Sequence, residues 1–177
     1  MEDNEDLYAK LTRLLTTDSE LNALVQQLLE QYKGSLARNK INASGNLSET
    51  AKAYGKVEGS SLGKYEYQIV FDLADYWIYV ENGRRPGKRP PISAIEKWIA
   101  DKGLAPHPQS NGKIPSTKQL AFAISSKIAR EGTQYWQMGG TQVLHDAINE
   151  QSPVLDAIVD RIGVLLEKEI TSALNTL

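Results

Sequence analysis

Tyr65-Glu66-Tyr67-Gln68-Ile69-Val70-Phe71-Asp72-Leu73 decides the fold class. Tyr65, Tyr67, Ile69, Phe71 and Leu73 alternate with Glu66, Gln68, Val70 and Asp72, the period of a strand with one buried face. Residues 54–61 form a weaker strand, joined to it by a turn at Leu62-Gly63-Lys64. The two predict a hairpin, and an isolated hairpin is marginal in water. It must pack on helices or gain strands from a neighbouring subunit.

Outward from the hairpin the period becomes helical. On the N-terminal side, residues 4–40 carry Leu7, Leu11 and Leu14, then Leu21, Leu24, Val25, Leu28, Leu29 and Tyr32. The break at Thr16-Thr17-Asp18, with Thr17 and Glu20 as a capping box, divides this stretch into two helices, and Gly34 is placed to end or weaken the second. Ser44-Gly45-Asn46 reads as a turn, with Asn46 capping a short helix over 47–53. On the C-terminal side a helix over 74–82 ends at Gly83. Ser93 with Glu96, and Ser116 with Gln119, are capping boxes of two more helices, which stop at Gly103 and Gly132. Residues 104–115 and 132–142 read as loops. Ser152-Pro153 opens a long helix from Val154 to Leu174, with Leu155, Ile158, Ile162, Leu165 and Ile170 on or near one face. The class is α+β: a small antiparallel sheet packed with several helices, with long N- and C-terminal helices. The division expected is an N-terminal helical extension over 1–40 and a single α+β domain over 41–177.

Composition narrows the function. The 177 residues have the apolar and charged fractions of a globular protein and a net charge of −2. There is no apolar run of membrane-spanning length, and the N-terminus Met1-Glu2-Asp3-Asn4-Glu5-Asp6 is acidic where an export signal is basic. The chain reads as intracellular by origin, so the glycosylation patterns at Asn42 and Asn46 carry no meaning. The absence of cysteine excludes disulfides and thiolate metal sites. Gly59-Ser60-Ser61-Leu62-Gly63 fits G-x-S-x-G, but a strand follows it where a nucleophile elbow needs a helix. His107 and His145 are far apart and lack metal-ligand spacing. No catalytic constellation, cofactor motif or metal set emerges, and a non-enzyme is expected.

One stretch stands apart: Gly83-Arg84-Arg85-Pro86-Gly87-Lys88-Arg89-Pro90-Pro91. Arg84, Arg85, Lys88 and Arg89 put four positive charges into six positions, and the prolines and glycines hold them on an irregular loop. The spacing is one residue short of a phosphate loop, and Arg89 stands where a magnesium-binding hydroxyl belongs. Two readings of the loop compete with a solvated turn. Its cations contact DNA phosphates, as in a soluble nucleic-acid-binding module, or they fork onto carboxylates of another subunit, for which the acidic N-terminus is one candidate. Glu81 reads as the local anchor of the loop, paired with Arg84, Arg85 or Arg89, rather than as a catalytic acid. Tyr76, Trp77, Tyr79 and Trp98 read as core residues of short helices.

Several blocks of the chain resemble a family of tailed-bacteriophage virion proteins, the neck or tail-completion proteins, also described as minor tail components. The blocks are Ser44-Gly45-Asn46-Leu47, Tyr76 with Tyr79-Val80-Glu81-Asn82-Gly83, Arg84 through Ile92, Ile95 with Trp98-Ile99 and Lys102-Gly103-Leu104, and Ala121-Phe122-Ala123-Ile124 with Lys127-Ile128 and Gly132-Thr133. The resemblance spans roughly residues 40–135. It implies a structural α+β subunit of the virion, made in the bacterial host cytoplasm, that closes into a homo-oligomeric ring at the head–tail joint. Its implied partners are portal, adaptor or tail subunits and, non-specifically, the packaged double-stranded DNA in the channel. Many members close soon after the basic loop with an Arg-Pro-Phe segment, whereas this chain continues into further helices. That departure leaves open a head-adjacent adaptor, a tail terminator and a tail-tube-associated component.

Overall fold

The computed structural model describes residues 2–39, 41, 45–59, 64–108, 110, 112–149 and 152–175, with the backbone alone for 2–6. The expected turn at 62–64 and the G-x-S-x-G match at 59–63 lie largely outside the described residues, as does part of the turn at 44–46. The fold is α+β, mostly helical, with one two-stranded antiparallel sheet. The expected boundary lies at residue 40. The fold divides the chain otherwise, into two compact units built from interleaved segments: 1–35, 51–73 and 144–177 in the first, 36–50 and 74–143 in the second.

The first unit holds α1 (Glu2–Thr17), most of α2 (Ser19–Arg38), β1 (Lys52–Gly59), β2 (Tyr65–Asp72) and α9 (Pro153–Leu174). The Leu-rich stripe of α2 is its centre: Leu21, Val25 and Leu28 are fully buried, and Tyr32 nearly so. Each such side chain contributes about 1.5–3 kcal/mol by leaving water. The break between α1 and α2 falls where expected, but its cap does not. Asp18, not Thr17, caps α2, with its Oδ1 accepting from the Leu21 N–H at 2.7 Å. The Thr17 hydroxyl donates instead to the Arg13 carbonyl at 2.7 Å, inside α1. Arg161 of α9 then forks onto the same aspartate, at 3.0 and 2.7 Å, and reaches Glu20 at 2.7 Å. This guanidinium, together with main-chain N–H donors, holds the Asp18 carboxyl below the usual range, and Asp18 in turn raises Arg161. Gly34 does not stop α2, which runs on to Arg38.

The hairpin has the expected antiparallel pairing, from Lys52↔Asp72 to Gly59↔Tyr65. Ala53 and Val57 are buried on its inner face. Phe71 of that face meets Tyr32 edge-on at 6.3 Å, and Tyr65 stacks on Tyr8 at 6.0 Å. Gly55 is required there, because a Cβ would collide with the Tyr67 side chain, which reaches across from β2 diagonally to it. On α9, Ile158 and Leu165 of the expected stripe are buried, Leu155 and Ile162 are half-buried, and Ile170 is exposed.

The second unit holds α3 (Asn46–Thr50), α4 (Trp77–Glu81), α5 (Ile92–Asp101), α6 (Thr117–Glu131) and α7 (Gln134–Gln137). The remaining helix, α8 (Val143–Ala147), begins at its edge. α5 packs on α6, burying Ile99, Ala121 and Ser125. The α6 capping box is present as expected: the Gln119 N–H donates to Ser116 Oγ at 3.2 Å, and the Ser116 N–H to Gln119 Oε1 at 2.8 Å. The other expected box is not. α5 starts directly after Pro91, with no side-chain cap, so Ser93 lies within its first turn. Residues 132–142 are not a plain loop either. Thr133 caps the single-turn helix α7.

Candidate interaction surface of the cationic loop

The loop is stitched down along its length by hydrogen bonds within its own unit. At its root the Glu81 carbonyl accepts from the Thr141 N–H at 2.7 Å, and the Thr141 hydroxyl donates to the Val80 carbonyl at 2.7 Å. Next, the Arg84 N–H donates to Thr133 Oγ1 at 2.8 Å, and the Thr133 N–H returns a bond to the Arg84 carbonyl at 2.9 Å. The Gly87 N–H donates to the Ala129 carbonyl at 2.8 Å. Finally the buried Ser125 hydroxyl donates to the Pro90 carbonyl at 2.8 Å, just before α5. The loop therefore lies on the end of α6 and on residues 132–141, the latter within the stretch expected as an exposed loop.

Glycines make this close approach possible. Gly83 has φ +70°, and a Cβ there would collide with the Trp136 backbone. Gly132, with φ +79°, faces the Arg84 carbonyl and Pro86, and a Cβ would sit 2.8 Å from that oxygen.

With its main chain fixed, the loop presents its side chains outward. Arg85, Lys88 and Arg89 are exposed and Arg84 half-exposed. Among the described residues none of the four forms an ion pair. The Arg84 guanidinium donates to the Lys88 carbonyl at 3.1 Å and lies 5.2 Å from the Tyr79 ring centre. Arg89 lies 4.8 Å from the centre of Phe122. These arginines are thus oriented by aromatic faces and a carbonyl, which leaves their charge uncompensated. Glu81 helps to hold the root of the loop through its main-chain carbonyl, and among the described residues the expected ion pair of its side chain with Arg84, Arg85 or Arg89 is not formed.

The aromatic residues expected in the core are largely on the surface instead, and Tyr79 lies against Arg84 of the loop. Tyr76, Tyr79 and Trp98 are exposed, and Trp77 is half-buried. Tyr135, Trp136, Met138, Ile78 and Phe122 are exposed as well. α4 is only five residues long, with no buried residue, so it has no face that could bury its aromatics. An aromatic and cationic surface of this composition matches the buried centre of protein–protein interfaces, where Tyr, Trp, Met and Arg are enriched.

The described residues hold no group of three or more His, Asp or Glu that could bind a metal. His107 and His145 are exposed. No described helix is long and apolar enough to cross a membrane. The chain matches no family model, no curated protein and no solved structure in comparisons with known proteins.

Proposed function

We propose that this chain is a structural virion protein of a tailed bacteriophage, a neck, head–tail joining or tail-completion subunit that closes into a ring with copies of itself. The resemblance of residues 40–135 supplies the family. The observation that carries the assembly role is the second unit's surface, a rigidly held loop with four uncompensated cations amid exposed aromatic side chains. A chain that acts alone gains nothing from leaving such a surface in water. A neighbouring subunit bringing carboxylates would pair the arginines and cover the rings. Heterologous contacts of this kind close into rings when the rotation permits. Mass spectrometry of purified virions tests the reading: the chain is expected among the structural proteins, and its absence refutes the role.

The second reading is a nucleic-acid-binding module. It draws on the same combination of cations and exposed aromatic rings, which is also how single strands are held. Four phosphate contacts on duplex DNA predict a log–log salt slope of about −3.6. No binding by the free chain at about 50 mM salt eliminates this second reading. We favour the protein partner, because Arg84 and Arg89 are held on rings and not spread for backbone tracking.

A further inference from the structure

The two edges of the sheet differ. Along an antiparallel strand, alternate residues turn both main-chain groups toward the partner strand or away from it. On β1, the Ala53 carbonyl accepts from Gln26 Nε2 at 2.7 Å, and the Val57 carbonyl from the Tyr8 hydroxyl at 3.1 Å. These residues share one parity, so the odd-numbered residues of β1 face away from β2, and side chains of α1 and α2 cap that edge. Their partners across the register, Phe71, Ile69 and Tyr67, face outward on β2. Among the described residues, no hydrogen bond from outside the sheet reaches the main chain of these three. β2 carries no proline and no lysine, the usual guards of an open edge, and is rich in β-branched and aromatic residues.

We propose that this edge is an interaction surface for a second copy of the chain, with β2 pairing antiparallel to β2 about a two-fold axis through Gln68. That register places Tyr67 opposite Ile69 of the partner copy and Tyr65 opposite Phe71, so every outward-facing residue of the strand meets another. Aromatic residues then face β-branched or aromatic ones on the inner face. On the outer face, Gln68 meets Gln68, Glu66 meets Val70, and Lys64 meets Asp72. Shifting the register by two residues, to an axis at Ile69, would instead set Glu66 against Asp72, two like charges. The capped edge of β1 is closed to such pairing, so the sheet grows to four strands and stops. This is a dimer contact of the free chain. It does not depend on the ring reading, because a two-fold contact does not propagate into a ring.

Cysteine substitution tests the axis directly, since the chain contains no native cysteine. Gln68 of the two copies would form a non-hydrogen-bonded pair with Cα atoms about 4.5 Å apart, within disulfide range. Glu66 of the two copies would be offset by four residues, about 13 Å along the strands, and out of reach. Mild oxidation should link Gln68→Cys into a reducible dimer at least about tenfold faster than Glu66→Cys, the gap between a preformed pair and random encounter. Light scattering of the unmodified chain should give a dimer mass that falls on dilution. Equal linking rates for the two variants, or a monomer mass at every concentration, overturns the proposal. The outcome leaves the virion reading untouched, because that reading is decided on particles and this one on the free chain.

Discussion

The two units are held together by different means. The first encloses a continuous apolar centre: Leu15, Leu21, Val25, Leu28 and Tyr32 from the N-terminal helices, Ala53 and Val57 from the hairpin, and Ile158 and Leu165 from α9. The second buries little beyond Leu36, Leu47, Ile99, Ala121 and Val143, and keeps its large aromatics outside. Its cohesion around the loop comes from main-chain hydrogen bonds and from glycines that allow backbones to touch. A unit that satisfies its polar groups while exposing its rings is suited to contact a partner. A unit that buries its leucines is suited to be the scaffold.

The largest test of this contrast is Leu28→Ala in the first unit. The fully buried side chain leaves a cavity worth about 2–5 kcal/mol, which chemical denaturation should register as a lower midpoint. In the second unit the matching test is Gly83→Ala. It puts a side chain at φ +70° and against the Trp136 backbone, and should cost about 1–3 kcal/mol. Gly103→Ala is its control. It carries the same sign of φ, +62°, but open space around the added Cβ, so it should cost only about 1 kcal/mol. If both glycine variants behave alike, close packing under the loop is not what holds it.

A smaller effect separates the units by pH. Asp18 titrates below its unfolded value of about 3.9, so its contribution is full above that value and is lost as pH falls through the lower folded one. Asp18→Asn keeps an N-cap but gives up the charge for Arg161. The stability gap between wild type and this variant should be widest near neutral pH and close below about pH 4. A gap that persists at lower pH would assign it to packing and not to the ion pair.

The smallest stability effect is expected where the functional effect is greatest. Changing Arg84, Arg85, Lys88 and Arg89 together to Ser should leave melting almost unmoved, because exposed charges contribute little to folding. Particle assembly or genome retention should nonetheless fail. Normal particles from this variant would remove the loop from the assembly role.

Much of the scaffold was legible in the sequence. Strong alternation marks β2, long leucine periods mark α2, and the Ser116–Gln119 box is visible by its spacing. Sequence and structure part where neighbouring residues compete or elements are too short for a period. Thr17 and Asp18 are both competent caps, and Asp18 has a further partner in Arg161, distant in sequence and so invisible locally. The aromatics of α4 suggested burial, yet a five-residue helix has no face to sort them. Residues 132–142 looked like a glycine-rich loop. Thr133 was the signal available there, a cap before Gln134, but one turn of helix carries no periodicity to support it. The cations were identifiable from composition alone, whereas their support by Thr133, Ala129 and Ser125 needs tertiary structure.

Burial of the second unit's cationic and aromatic surface by a partner in the virion can be read by covalent labelling of Lys88 and Trp136, compared between the free chain and purified virions. Both residues should be readily modified in the free chain, where both are exposed, and strongly protected in particles. Equal modification in the two states, or particles that lack the chain, would contradict it.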